Sequence, residues 1–300
     1  MENFRSANNW FGRIVMQQLT KNVFTETKIR GCNPSIVFTS EGSVFIDTAQ
    51  WITTLLEMRK FAHEKGPIRY LINTEPHIDH IFGNHWFAGE CPVIGHENLS
   101  KSFWKIPPAF NQTTYDYSVD IIKRQDPEGL KDMPSEKDYI VNTPQITFSD
   151  RMTLKVGDHT FCLYYAPGHS DANIIIHVPE ERTAFVGDTI FNDCQIWLHS
   201  VMPDELFKTL DFLAGLDVDY IVPGHGPVCD KSAIYENKKF LYDWYGAVAD
   251  GIAKGWTKEE CVKNISFADR CPVDIGQADA MEYIQEHNVM MAYDYVMNKM

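Results

Sequence analysis

The chain has 300 residues, enough for one large domain or two small ones, and 44% of them are hydrophobic, ample for a packed core. Its formal net charge is −14 and its isoelectric point about 5.2. That balance argues against a nucleic-acid footprint, which needs a basic face.

No run of about 20 apolar residues occurs, so no membrane span is predicted. Met1-Glu2-Asn3-Phe4-Arg5 lacks the apolar run of a signal peptide. The seven cysteines (Cys32, Cys91, Cys162, Cys194, Cys229, Cys261 and Cys271) are odd in number and include no CxxC pair. They argue against a zinc ribbon and read as free thiols in a reducing, cytoplasmic compartment.

Residues 10–48 alternate short apolar runs with turn signals. Phe11 to Met16 and Val23-Phe24 are strand-like, and Gly31-Cys32-Asn33-Pro34 marks a turn. Ser35 to Thr39 and Val44 to Ile46 flank Ser40-Glu41-Gly42-Ser43 as a hairpin, closed by Asp47-Thr48. Over 49–64 the spacing predicts a helix, with Trp51, Leu55, Met58 and Ala62 on one face, backed by Ile52 and Leu56. Strands are predicted at Ile68 to Ile72 and at Pro92-Val93-Ile94.

Directly after the first of these comes Thr74-Glu75-Pro76-His77-Ile78-Asp79-His80, with two imidazoles and two carboxylates in six residues. Both ligand types suit zinc, iron and manganese. A turn at a strand end can aim alternate side chains at one point, and a metal there neutralises charges that otherwise repel. The competing reading is an exposed polar turn at a helix start, with Asp79 favouring the dipole.

Residues 97–145 mix polar and aromatic residues, repeat proline and lack periodicity, apart from a helix near Tyr117 to Arg124. A long irregular insertion in a compact domain is usually functional or mobile. Phe103, Trp104, Phe110, Tyr115 and Tyr117 either line a pocket from above or pack the insertion onto the domain. Strands then recur at Ile146 to Phe148, Met152 to Val156, Phe161 to Tyr165, Asn173 to His177, Thr183 to Val186 and Tyr220 to Val222. A helix from Pro203 to Ala214 buries Leu206, Leu210 and Leu213, with Ser200 or Asp204 near its start. The tail from about 230 reads as helical. It carries the stripe Phe240, Leu241, Trp244, Tyr245 and Val248, a capping-box pattern at Thr257 to Glu260, and a last helix from about Gln277 to Asn298.

Three more candidate ligands share one local context. His169 sits in Pro-Gly-His-Ser, Asp188 in Val-Gly-Asp-Thr and His225 in Pro-Gly-His-Gly, each just past an apolar strand and beside a glycine. Glycine allows a sharp turn and close backbone approach. If the strands pack side by side, their ends form one rim.

With Asp47, Glu75-Pro76-His77-Ile78-Asp79-His80, Gly168-His169-Ser170, Gly187-Asp188 and Gly224-His225-Gly226 in this order, the chain resembles the metallo-β-lactamase fold superfamily over about residues 12–230. The resemblance implies an αββα four-layer sandwich over residues 1–230. A lid-like insertion at about 97–145 and a C-terminal helical extension at 231–300, packed on the sandwich or on a partner subunit, complete the expected organisation. It also implies two divalent metal ions, zinc foremost, with iron or manganese as alternatives. One metal would use Glu75, His77 and His169, and the other Asp79, His80 and His225, with Asp188 bridging. The family motif has a histidine where this chain has Glu75. A carboxylate there hardens the site, unless Glu75 points to solvent.

The expected activity is metal-dependent hydrolysis, with a metal-activated hydroxide attacking a small-molecule ester, lactone, thioester, amide or activated aryl ether. Asp79 would orient the nucleophile or pass on its proton. The alternatives are a diiron redox or oxygen-handling protein and a subunit with a degenerate metal site. His85, His96, His159 and His177 read as surface or hydrogen-bonded core residues. His199 and Asp193 follow Asp188 closely and face the substrate in one reading. Cys194 reads as a buried structural thiol, with approach to the metals as the alternative. His287 lies in the tail, whose expected route to a site is across a subunit interface. Oligomerisation through the C-terminal helices is the corresponding expectation, with no nucleic-acid or membrane partner.

Overall fold

The computed structural model describes residues 16–102, 113–274, 276 and 278–300. Residues 11–15 of the strand expected at the start, and Phe103, Trp104 and Phe110 of the insertion, lie outside them.

The apolar runs form two sheets. The first contains β1 (Gln17–Gln18), β2 (Val23–Thr25), β3 (Ser35–Thr39), β4 (Gly42–Ile46), β5 (Ile68–Ile72), β6 (Val93–His96) and β7 (Ile146–Phe148), in that spatial order. Strands β1 to β4 are successively antiparallel, whereas β4 to β7 run parallel. The second sheet has the order β12 (Tyr220–Val222), β11 (Thr183–Phe185), β10 (Ile174–Val178), β9 (His159–Tyr165), β8 (Arg151–Val156). Only its β11–β12 pair is parallel.

Side chains alternate between the faces of a strand. One face of the first sheet sends Val37, Val44, Ile46, Ile72 and Ile94 against Phe161, Leu163, Ile174, Ile176, Phe185 and Val222 of the second, all essentially excluded from water. Each such side chain contributes about 1.5–3 kcal/mol of burial free energy. On the outer face of the first sheet, Phe45, Leu71 and Val93 meet Leu55, Met58 and Ala62 of α1 (Ile52–His63). On the outer face of the second, Ile175, Ala184 and Ile221 meet α5 (Pro203–Gly215) and α6 (Ser232–Ala253) through Leu206, Leu210, Ile234 and Leu241. The layers are therefore helix, sheet, sheet, helix, as the resemblance implied.

The connections that follow β5 and β6 carry α2 (Ile78–Ile81), α3 (Leu99–Ser102) and α4 (Thr114–Gln125). The insertion is anchored through α4's end. Asp126 accepts hydrogen bonds from Thr53 N at 3.0 Å and Thr53 Oγ1 at 2.8 Å, satisfying a donor in the first turn of α1. Tyr115 packs the insertion, its hydroxyl donating to Pro134 O at 2.5 Å. Neither Ser200 nor Asp204 caps α5. Met202 stands at the N-cap without a side-chain bond and Pro203 opens the helix, where a missing N–H costs nothing.

In the tail, α7 (Lys258–Asn264) starts with the expected capping box, Thr257 N donating to Glu260 Oε2 at 2.8 Å and Glu260 N to Thr257 Oγ1 at 3.2 Å. The apolar stripe of α6 divides. Leu241 packs on the sandwich, while Trp244 and Val248 join Cys261 of α7 and Val289 and Ala292 of α8 (Met281–Lys299).

A polar staple ties the two sheets at the start of β9. His159 lies between Asp158 Oδ1, 2.8 Å from Nδ1, and Glu181 Oε1, 2.7 Å from Nε2. Glu181 also accepts from Asn22 Nδ2 at 2.7 Å and from Thr20 Oγ1, both in the β1–β2 turn. Asp158 accepts from Ser40 N at 2.8 Å in the β3–β4 hairpin.

Candidate metal centre

Parallel neighbours end at the same edge of a sheet. Asp47 follows β4 and the Glu75 to His80 turn follows β5, while Asp188 and His225 follow the parallel pair β11 and β12. Strand β9 runs in the direction of β11, since each is antiparallel to β10, and His169 follows it. All seven candidate ligands named from the sequence meet at this rim. Glu75, His77, His169 and Asp188 present ligand atoms within 4.8 Å of one another, as do Asp79, His80 and His225.

Asp188 spans the two groups. Its Oδ1 lies 3.1 Å from His80 Nε2 and 3.3 Å from His225 Nε2, and its Oδ2 lies 3.2 Å from His169 Nε2. Glu75 is fully buried and spans them too, with Oε1 2.8 Å from His77 Nδ1 and 3.0 Å from His80 Nε2, and Oε2 3.7 Å from His169 Nε2. It does not point to solvent. Asp79 Oδ2 stands 3.3 Å from His225 Nε2. The side chains of His77 and Asp79 are 22% and 18% exposed, against 5% or less for the other five, so the centre opens on their side.

Surrounding bonds fix these groups. Asp47 adopts the left-handed conformation, φ 54°, which Asp tolerates. It accepts from Thr74 N at 2.7 Å and Thr74 Oγ1 at 2.5 Å, and its Oδ2 lies 2.9 Å from His80 Nδ1, turning His80 Nε2 into the cluster. Asn33 Nδ2 donates to Pro223 O and Gly226 O at 2.9 and 2.8 Å, holding the His225 turn. Gly224 is required there, because a Cβ would collide with Asp188 Oδ1 and the Gly187 backbone.

The electrostatics are those of cations stored between carboxylates. Burial opposes protonation of His80, yet Glu75, Asp188 and Asp47 hold its pKa well above the ordinary histidine value. Burial is likewise outweighed at His225, where Asp188 and Asp79 raise it to about 10. His77 is raised in the same way, mainly by Glu75. For Asp188 and Asp79 burial acts upward, but the neighbouring histidines hold both below the usual carboxylate range. At His169 burial wins and the pKa is lowered.

The donor set fits divalent metals. Glu75 Oε2, His80 Nε2 and Asp188 Oδ1 are buried and make no well-aligned hydrogen bond among the described residues, their neighbours being the ion-pair contacts of the cluster itself. Buried polar atoms are normally satisfied, and a cation at this point would satisfy all three while replacing the protons that the histidines otherwise hold.

Other sequence expectations divide. His199 is at the centre, with Nε2 3.1 Å from His77 Nε2. Asp193 and Cys194 are in neither group. Cys194 is buried, and burial pushes its thiol well up, as for an inert structural cysteine. His85, His96 and His159 are hydrogen-bonded away from the centre, to Ile140 N, Ser149 O and the staple carboxylates. His177 lies within β10, nearly buried. Tyr117 hydrogen-bonds Arg30 on the Asp79 side, its phenol pushed up by burial. The tail needs no second subunit to approach the centre. In α8, His287 stacks on Tyr283, which lies beside Trp197, itself edge-on to His199. Sequence reasoning missed Cys32 and Ser200. Cys32 joins Asp47 and His80 within 4.8 Å, and Ser200 Oγ donates to His169 O at 2.7 Å. Ser200 was marked only for its place near the start of α5, and nothing in its turn marked Cys32.

Comparison with known proteins agrees with this fold. The family described as the metallo-beta-lactamase superfamily matches residues 28–225. A Beta-lactamase-like protein 2 homolog from Caenorhabditis elegans is 27% identical over 214 residues, 68% of this chain and 58% of that protein. A hydroxyacylglutathione hydrolase from Maricaulis maris (strain MCS10) is 36% identical over 67 residues, 22% of this chain and 26% of that protein. The chain thus aligns with less than two thirds of either relative's length. Among solved structures, a metallo-beta-lactamase family protein from Thermus thermophilus superposes with a TM-score of 0.64 at 16% identity, covering 94% of this chain and 95% of that one.

Proposed function

Because the chain belongs to the metallo-β-lactamase superfamily, whose members are mostly metal-dependent hydrolases, we propose that it hydrolyses a small-molecule substrate at a two-metal centre held by Glu75, His77, Asp79, His80, His169, Asp188 and His225. The observation that carries this reading is that Glu75, His77, His169 and Asp188, and likewise Asp79, His80 and His225, present ligand atoms within 4.8 Å of one another at one rim. When bound, divalent metals activate water at neutral pH and polarise the bond to be cleaved.

The rest of the chemistry falls to the chain. Asp47 sets the tautomer and direction of His80 through Nδ1. The opening beside His77 and Asp79 admits the substrate. Asp79, on the open side of the centre, accepts a proton from the attacking water at a carboxylate oxygen and returns it to the leaving group. The substrate bond belongs to the set of ester, lactone, thioester, amide and activated aryl ether. Three carboxylates among seven donors make iron and manganese competitive with zinc.

Metal analysis of the purified protein, followed by a hydrolysis screen over those five bond types, tests the reading. The expected result is about two metals per chain and turnover of at least one bond type, lost in His80→Ala and His225→Ala. A metal-loaded protein that cleaves none of them and shows a reversible redox change in its visible spectrum overturns it.

A further inference from the structure

The candidate ligand His77 uses its two ring nitrogens differently. Nδ1 faces the cluster, 2.8 Å from Glu75 Oε1 and 3.2 Å from His169 Nε2. Nε2 points the other way, 3.1 Å from His199 Nε2 and 3.4 Å from Ser200 Oγ. Two ring nitrogens at that distance share one proton, so one donates and the other accepts. A metal ligand offers its lone pair at the coordinating nitrogen and carries its proton on the other. His77 therefore donates through Nε2, and His199 accepts.

Residues 195–202 form the segment that presents His199, and both its flanks are fixed. On one side Ser200 Oγ donates to His169 O at 2.7 Å and Met202 N to Gly168 O at 2.7 Å, tying the segment to the His169 turn. On the other side α8 holds it. Asn288, 1% exposed, accepts from Leu198 N at 2.8 Å through Oδ1 and donates to Ile196 O at 2.7 Å through Nδ2. One side chain thus satisfies a backbone donor and a backbone acceptor just before His199, as a neighbouring strand would. Gln285, one turn earlier on α8, donates to Gln195 Oε1.

We propose that His199 is a positioning residue for His77, held by Asn288 of α8, so that the C-terminal helix is a structural component of the metal centre. This rests on the reading of the cluster as a metal centre. An outer partner of a ligating histidine fixes its ring orientation and basicity, and losing it typically costs about 10- to 100-fold in metal affinity.

The test uses the full chain as wild type, His199→Phe, His199→Gln and Asn288→Ala. Zinc affinity is measured by chelator competition, the visible spectrum with cobalt(II), and the fold by circular dichroism and thermal unfolding. His199→Phe should fold, weaken zinc binding about 10- to 100-fold and alter the cobalt spectrum. His199→Gln, whose amide oxygen can accept, should recover part of both. Asn288→Ala should shift both readouts in the direction of His199→Phe. A folded His199→Phe with wild-type affinity and spectrum overturns the proposal, and so does equal loss in the Phe and Gln variants. If His199→Phe does not fold, an Asn288→Ala protein with unchanged affinity and spectrum overturns it. A wild-type chain that binds neither metal removes the metal centre itself, a failure visible before any variant is compared.

Discussion

Replacing Glu75 by glutamine removes one charge from the proposed centre at nearly constant volume. Glu75 Oε1 lies 2.8 Å from His77 Nδ1 and 3.0 Å from His80 Nε2, so a cation held by either nitrogen sits close to the carboxylate. At an effective dielectric of about 20, unit charges about 4 Å apart attract by about 4 kcal/mol. A divalent ion increases that figure, while the cost of keeping the carboxylate dehydrated and residual solvent screening reduce it. We take a loss of about 3 kcal/mol, on the order of 100-fold in Kd. Chelator competition on Glu75→Gln, with circular dichroism to check the fold, should show this loss first at the Glu75–His77–His169 group. Glu75→His should restore binding, shift preference toward zinc, and move the rising limb of the pH–rate profile to lower pH, because the metal becomes a stronger Lewis acid. A folded Glu75→Gln protein with wild-type metal content and affinity refutes the reasoning and leaves Glu75 as a buried acceptor for His77.

Gly224→Ala should lose metal as well as activity, since the added methyl displaces Asp188 or the Gly187 backbone; unchanged metal content would contradict this. Trp244 is fully buried among α6, α7 and α8, so Trp244→Ala should cost about 3–5 kcal/mol in denaturant unfolding, and a loss below about 1 kcal/mol would mean the tail helices contribute little. In the staple, burial opposes protonation of His159 but Glu181 and Asp158 raise its pKa. Its contribution is therefore complete below the unfolded value of about 6.5 and fades as pH rises through the higher folded value. The stability gap between wild type and His159→Gln should narrow from about pH 6 to pH 9; a gap that widens would reverse the assignment.

The sandwich and its rim were legible because each ligand turn follows an apolar run and sits beside glycine, a local signal at His169, Asp188 and His225. The pairing of those runs was legible only through the family resemblance, since periodicity marks a strand without naming its neighbour. The start of α5 at Pro203 was legible, and Pro203 also makes a side-chain cap from Ser200 or Asp204 unnecessary. The approach of α8 to the centre was hidden for a different reason. Asn288 and Gln285 act through backbone groups at Ile196, Leu198 and the side chain of Gln195, and nothing in a stripe of Met and Tyr singles out two buried amides.

The His159 staple has a consequence for how the sheets come apart. It joins them where β9 begins, whereas the ligand turns join them where β9 has ended, roughly 20 Å along the strand. The staple is made of hydrogen bonds present without any ion, whereas at the ligand rim, once metal is gone, only protons on the histidines balance the carboxylates. Stripping metal should therefore loosen the sandwich from one end only, like a book held at its spine. Amide hydrogen exchange of the stripped protein should speed up at Asn73 to His80, Gly187 to Thr189 and Gly224 to Gly226, while amides beside Thr20, Ser40 and His159 keep their protection.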